Sequence, residues 1–139
     1  MSTPNVPLMR EVAGWIRTQL EYAPSPFDRA EAARGNPTLA PDLIWDQDIW
    51  MDEVYGAECK TSCCVAGYVA LTDPEVDVEK TRLFGHVYFK DETRDPEYFD
   101  RHARARLGLE FLPADRLFYT SNDPDRVLEL LSEAAGEEL

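Results

Sequence analysis

The segment Cys59–Leu71 constrains the fold more than any other part of the chain. It reads CKTSCCVAGYVAL and holds all three cysteines beside a run of small apolar residues. Small residues let a neighbouring element approach closely, and here they are Cys63, Cys64, Ala66, Gly67 and Ala70. Thr61 or Ser62 offers the hydroxyl of a good helix N-cap. The segment therefore predicts a tightly packed helix that starts near these residues and runs to Leu71.

An amphipathic helix is predicted near the start of the chain, over Pro7–Tyr22. Proline suits the first turn of a helix, and Pro24 and Pro26 end this one. Five apolar residues recur on one stripe at helical spacing: Leu8, Val12, Trp15, Ile16 and Leu20. Residues 23–41 then predict a proline-rich loop with one short helical turn around residues 28–34.

Three helices are predicted in the last third of the chain. Pro96–Leu107 is expected to be closed by Gly108, because glycine readily takes the left-handed conformation that ends helices. Residues 113–118 form a short second helix. Asp123 is a suitable N-cap for the third helix, which ends at Gly136. Its apolar face comprises Val127, Leu128, Leu130 and Leu131.

Two segments leave the strand content open. Residues 42–58 hold two apolar triplets, around Trp45 and Trp50, that fit either strands or a short helix. Both tryptophans are expected mainly in the core, with a partner surface as the alternative. Apolar and polar residues alternate within residues 76–89, and several are β-branched or aromatic. This pattern predicts a small hairpin. The chain is therefore predicted to be a mainly α domain, or α+β if the hairpin near residues 76–89 forms.

The length of the chain indicates a single compact domain. Its 139 residues match one domain of ordinary size, and 44% of them are hydrophobic, which is enough for a core. No internal repeat or low-complexity linker divides the sequence. We predict one domain over residues 1–139, with an acidic tail from about residue 136.

The balance of charge is strongly acidic, with 27 Asp and Glu against 14 Lys and Arg and a net charge of −13. This charge disfavours direct binding to nucleic acid or to an anionic membrane, and it favours a basic protein partner. Residues 42–58 contain no Lys or Arg at all. They provide the candidate partner surface, which comprises Asp42, Asp46, Asp48, Trp50, Asp52 and Glu53. The C-terminal helix with its acidic tail is the alternative surface.

The sequence holds no phosphate-binding glycine loop, nucleophile elbow or zinc-protease helix. The protein is therefore predicted not to be an enzyme, with no catalytic residue, cofactor or metal site. The alternative is a thiol- or metal-dependent protein built on Cys59, Cys63 and Cys64. Their spacing with His86 and His102 matches no common zinc module, and packing thiols are the default interpretation.

The expected location is the cytoplasm. No apolar stretch is long enough to span a membrane, and the first residues lack the basic start and apolar core of a signal peptide. An odd number of cysteines, two of them adjacent, favours reduced thiols over a disulfide framework.

Several short motifs give the chain a family resemblance. They are Cys59-x-Thr61-x-Cys63-Cys64-Val65-Ala66-Gly67-Tyr68, Ala103-x3-Leu107-Gly108-Leu109, Ala114-x2-Leu117-Phe118, Asn122 and Val127-x3-Leu131. Over about residues 45–131 the chain thereby resembles a group of small uncharacterised actinobacteriophage and actinobacterial proteins. These share the pattern C-x-T-x-x-C-[VI]-A-G-[WY] and an L-G-L turn. The resemblance implies a domain that folds as a unit, and it brings no known reaction.

The resemblance and the charge together favour one hypothesis: a phage-encoded accessory protein that binds and modulates a host protein through an acidic surface. It would act in the host-cell cytoplasm. Small accessory viral proteins often bind host proteins, and this expectation comes from the resemblance alone. An acidic DNA mimic that inhibits a host nuclease or DNA-binding protein is an alternative. Self-association into a homo-oligomer stays open beside these hypotheses.

Overall fold

The computed structural model describes residues 3–54 and 57–139, with side chains for residues 3–54 and 60–139. These residues form seven helices: α1 (Val6–Tyr22), α2 (Pro26–Gly35), α3 (Val65–Leu71), α4 (Val78–Phe84), α5 (Phe99–Leu107), α6 (Phe111–Leu117) and α7 (Pro124–Ala135). They also form three strands: β1 (Leu43–Trp45), β2 (Asp52–Val54) and β3 (Ala57–Cys63). The fold is α+β and mainly helical, which confirms the predicted fold class.

The three strands form one mixed sheet in the order β1-β3-β2, so the longest strand, β3, lies at its centre. β1 runs parallel to β3, with Leu43 beside Thr61, and β2 runs antiparallel to β3. The first apolar triplet of residues 42–58 is thus strand β1. The second triplet, around Trp50, is in the loop between β1 and β2.

The predicted hairpin over residues 76–89 is wrong. Half of this segment is helix α4, which is capped at its start by the Asp77 side chain and ends at Gly85 with φ 75°. Caps of this kind favour a helix, and here they outweigh the alternating pattern. Strand pairing of this segment is limited to two isolated bridges, Val76 with Phe89 and Val87 with Glu97.

The predicted N-cap of the central helix is also wrong. Thr61 and Ser62 lie in β3, which extends to Cys63, and α3 begins after Cys64. Pairing with β1 on one side and β2 on the other holds Thr61 and Ser62 extended, so the helix starts later. All residues of α3, up to Leu71, are buried, as the run of small residues predicted.

The helices predicted at both ends of the chain are present, but α5 begins at Phe99 and not at Pro96, and α6 begins at Phe111 and not at Pro113. Gly108 ends α5 at φ 69°, Asp123 caps α7, and Gly136 ends α7 at φ 72°. α2 is longer than the single turn predicted, because Ser25 caps it and Pro26 occupies its first position. Among the described residues, no helix combines the length and the apolar character needed to cross a bilayer.

The main core is built around α3. This helix packs against α5, and its Tyr68 ring stacks on Trp15 of α1 with the ring centroids 4.3 Å apart. A smaller buried cluster contains Ala33, Ala40, Ile44 and Val54. Trp45 is only 3% exposed, as expected of a core residue. The same expectation is wrong for Trp50, which is 46% exposed.

Side chains from α1 and α2 satisfy the outer edge of β1. The main-chain oxygen of Leu43 accepts hydrogen bonds from Trp15 Nε1 at 3.2 Å and from Gln19 Nε2 at 3.0 Å. Gln19 Oε1 accepts the N–H of Trp45 at 3.0 Å. The Trp45 oxygen accepts from Arg29 Nε and Nη2, at 3.2 and 2.9 Å. An edge covered in this way is closed to pairing with another chain.

The predicted acidic tail lies against α1. Arg10 forms an ion pair with Glu137, and Arg17 donates a hydrogen bond to the main-chain oxygen of Leu139. The Leu139 side chain also packs against the main core. The residues after Gly136 therefore belong to the folded domain.

A buried histidine and a buried carboxylate join α5 to the end of α3. His102 Nε2 lies 2.8 Å from Asp73 Oδ2, and both side chains are almost completely buried. Burial alone would raise the pKa of Asp73, but hydrogen bonds from the Glu75 N–H and from His102 lower it below its usual value. Burial lowers the pKa of His102, against the opposing effect of Asp73. His102 is therefore neutral and donates from Nε2.

The buried His102 predicts that the protein loses stability as the pH falls below 6.5, the usual pKa of histidine. Because the pKa is lower in the folded chain, the unfolded chain takes up the proton first and gains relative stability. His102→Gln should remove this part of the pH dependence. Unfolding free energies from urea titrations, between neutral pH and about pH 5, would test it. His86→Gln, at an exposed histidine, is the control; an equally steep fall in His102→Gln would contradict the assignment.

Candidate functional site

A groove lies between the β1–β2 loop (residues 46–51) and the connection from α6 to α7 (residues 118–123). It contains two neighbouring cavities of about 240 and 230 Å³, and Thr120 lines both. The first, the aromatic cavity, has four aromatic residues in its lining: Trp50, Phe111, Phe118 and Tyr119. The second, the acidic cavity, has three carboxylates in its lining: Asp46, Asp48 and Asp123.

The aromatic cavity presents large apolar side chains to solvent. Phe111 and Tyr119 are 63% and 61% exposed, and Trp50 is 46% exposed. The Trp50 ring is nearly parallel to that of Phe99, with the centroids 6.3 Å apart. The guanidinium of Arg104 lies over the Phe111 ring at 5.7 Å. Clustered exposed aromatic rings are typical of surfaces that a ligand or partner covers.

The acidic cavity has a buried cation beside its carboxylates, of which Asp48 and Asp123 are exposed and Asp46 is half-buried. Arg29 is 1% exposed, and its guanidinium donates to main-chain oxygens of Ala23 and Trp45. Burial lowers the pKa of Arg29, while the nearby Asp46 and Asp28 raise it. Because Arg29 is turned to the protein interior, an incoming ligand meets the carboxylates first.

The β1–β2 loop is held against α3 by main-chain contacts. The Cys64 N–H donates to the Ile49 oxygen at 2.6 Å. A Cβ atom on Gly67 would lie only 1.8 Å from the main-chain oxygen of Trp50, so the loop occupies the space of a missing side chain. The contacts with Cys64 and Gly67 thus position Trp50 at the groove.

Gln47 ties the two walls of the groove together. Its side chain is buried; Oε1 accepts from Trp45 Nε1 at 3.0 Å, and Nε2 donates to the Leu117 oxygen at 2.9 Å. A second, longer bond runs from Nε2 to the Tyr119 oxygen at 3.2 Å. These bonds fix the β1–β2 loop relative to the end of α6.

The structure divides the predicted partner surface. Three of its six residues line the groove: Asp46, Asp48 and Trp50. Asp42 instead pairs with the largely buried Lys60, whose Nζ lies 2.9 Å from Asp42 Oδ1. Asp52 and Glu53 are exposed on β2 and do not line either cavity.

The α6 side of the groove was missed in the sequence. Phe111, Asp115 and Tyr119 were not among the predicted site residues, and neither was Gln47. The sequence marks Phe111 and Tyr119 only as apolar, and burial of such a residue depends on what packs over it. No local pattern distinguishes them from core residues.

Two of the three cysteines are packing residues. Burial raises the pKa of the Cys63 thiol well above its usual value of 9.0, and it raises that of Cys64 to about 11. Both thiols are therefore protonated and poorly nucleophilic near neutral pH. Among the described side chains, no three His, Cys, Asp or Glu residues come together as a metal site. The side chain of Cys59 lies outside the described residues.

Comparisons with protein-family models, with curated proteins and with solved structures find no match. The resemblance to actinobacteriophage proteins stays an expectation from the sequence motifs. The functional proposal therefore rests mainly on the residues of the groove.

Gly67→Ala should destabilise the protein. The added Cβ would meet the Trp50 oxygen at 1.8 Å and the Cys63 Cβ at 2.8 Å, so the loop and helix must separate. Overpacking of this kind costs about 1–3 kcal/mol. Gly14→Ala is the matched control, because its Cβ meets nothing within 4 Å and alanine favours helix α1 by up to ~1 kcal/mol. Urea unfolding of both variants would test this, and equal losses of stability would contradict it.

Gln47→Leu should also destabilise the protein, because it leaves the Trp45 indole N–H without an acceptor. It also removes one hydrogen bond from each of the Leu117 and Tyr119 oxygens, which keep their bonds from Asn122. A buried polar group left without a partner costs about 1–3 kcal/mol. Asp48→Asn, at the exposed neighbouring residue, is the control and should change the unfolding free energy little. Urea titrations followed by tryptophan fluorescence would measure both. A Gln47→Leu variant as stable as Asp48→Asn would show that these bonds do not hold the groove together.

Proposed function

We propose that this protein is a non-enzymatic interaction module that binds a partner protein through the groove. The observation that carries the proposal is the half-exposed Trp50 ring, which lies among other exposed aromatic side chains and beside the carboxylates of Asp46 and Asp48. The family resemblance adds the setting: a phage-encoded accessory protein that modulates a host protein in the host-cell cytoplasm.

The size of the cavities favours a protein partner over a small molecule. Pockets for small ligands usually enclose about 300–1,000 Å³. The two cavities here, of about 240 and 230 Å³, are smaller than that and open to solvent. Each is suited to a single side chain of a larger partner, in the manner of an interface hot spot.

The mixture of residues favours protein over nucleic acid. The carboxylates at the groove repel phosphate groups. A DNA mimic needs carboxylates in a continuous array, whereas here the carboxylates of the acidic cavity adjoin a cavity lined by aromatic side chains. Aromatic residues are enriched in the core of protein interfaces, and the rim around that core is polar.

The proposal predicts capture of a host protein that depends on the groove. The tagged protein would be incubated with host-type lysate at low and high salt, and bound proteins would be identified by mass spectrometry. Trp50→Ala and the double variant Asp46→Lys/Asp48→Lys should lose the partner, and high salt should weaken its capture because exposed charges are screened. For the purified partner, loss of an aromatic anchor should raise the Kd by about 30-fold.

The matched control is Glu92→Lys/Asp95→Lys, which changes the same amount of charge at exposed residues outside the groove. This variant should keep the partner. A partner retained by both groove variants, or lost equally in the control, would exclude the groove as the binding site. Concentration-dependent self-association that disappears in Trp50→Ala would instead assign the groove to a homo-oligomer.

A further inference from the structure

The groove carries more negative than positive charge, and this excess favours some protein partners over others. Five carboxylates line the two cavities: Asp46, Asp48, Asp100, Asp115 and Asp123. The two cations that line the same cavities are already engaged. Arg29 is buried against main-chain oxygens, and Arg104 is half-buried over the Phe111 ring. The solvent side of the groove is therefore negative.

The carboxylates keep capacity for further hydrogen bonds. Asp46 Oδ1 accepts the Asp48 N–H at 3.1 Å, and Asp123 Oδ1 accepts the Arg126 N–H at 2.8 Å. An ionised carboxylate has about four acceptor sites, so one such bond leaves most of them open. A guanidinium or ammonium group is the natural donor for these sites, because charge-assisted hydrogen bonds are the strong ones.

The aromatic cavity favours an apolar group of the same partner, whereas the carboxylates favour a cation. Its exposed rings gain from contact with an apolar side chain, and the cavity volume suits one large residue. Thr120 lines both cavities, so a single short segment can reach both. A partner that satisfied only one cavity would leave either the carboxylates or the aromatic rings without a complement.

We infer that the groove binds a short cationic segment of the partner, with one large apolar side chain in the aromatic cavity and neighbouring Lys or Arg residues against the acidic cavity. This inference rests on the proposed function and names the chemistry of the partner. The net charge of −13 over the whole chain attracts the same class of segment from a distance.

A displayed library of random dodecapeptides provides the test. The library would be selected on the wild-type protein after depletion on Trp50→Ala. The selected peptides should carry a net positive charge together with at least one large apolar residue. Enrichment of acidic or neutral peptides, of cationic peptides without an apolar residue, or of no peptide above background would overturn the inference.

A synthetic peptide from the selection then separates the two contributions by calorimetry. Asp46→Asn/Asp48→Asn keeps the shape of the groove and should weaken binding by about 10-fold at low salt, with less effect at high salt. Phe111→Ala removes an exposed ring and should weaken binding at both salt concentrations. Glu92→Gln/Asp95→Asn, outside the groove, should bind as the wild type does. Peptide affinities of the groove variants equal to that of the wild type would refute the inference.

The two proposals can fail separately. Selected peptides of the expected class that bind the groove, with no host protein captured through it, would refute the proposed function and leave the groove chemistry standing. A host protein captured through the groove by an acidic or uncharged segment would refute the inference about groove chemistry and leave the proposed function standing.

Discussion

The rest of the structure depends on the close approach of the β1–β2 loop to α3. The Trp50 main-chain oxygen fills the space that a side chain on Gly67 would need, and the Cys64 N–H holds the preceding residue at 2.6 Å. The backbone of the loop is therefore part of the core packing, whereas the Trp50 ring lines the groove. A site built this way is rigid because its loop cannot move without disturbing the central helix.

Side chains make the hydrogen bonds that a further strand would make in a larger sheet. Trp15, Gln19 and Arg29 satisfy the outer edge of β1, and Gln47 satisfies the end of α6. A buried polar group without a partner costs about 1–3 kcal/mol. An exposed ion pair such as Arg126–Glu129 contributes at most about 1 kcal/mol. The buried amides therefore matter more to this fold than its many surface charges.

Charge and aromatic surface have different consequences at the groove. Unpaired carboxylates attract cationic partners over the range of the Debye length and raise the association rate. They discriminate poorly among such partners. The exposed rings of Trp50, Phe111 and Tyr119 add a shape that one apolar side chain can fill, and contacts of this kind dominate binding energy at interfaces. In the proposed interaction, the charge of the groove would attract cationic partners and the aromatic cavity would select among them.

The sequence by itself determined the helices at both ends of the chain, the glycines that end them, the burial of α3 and the acidic character of the β1–β2 loop. These features follow from local periodicity and from caps a few residues away. Only the tertiary structure decided that Thr61 and Ser62 lie in a central strand, that Trp50 is half-exposed, and which residues form the second wall of the groove. Gln47 bonds to a residue 70 positions away, and His102 to one 29 positions away. Such pairs depend on which surfaces meet when the chain folds, and no local pattern records that.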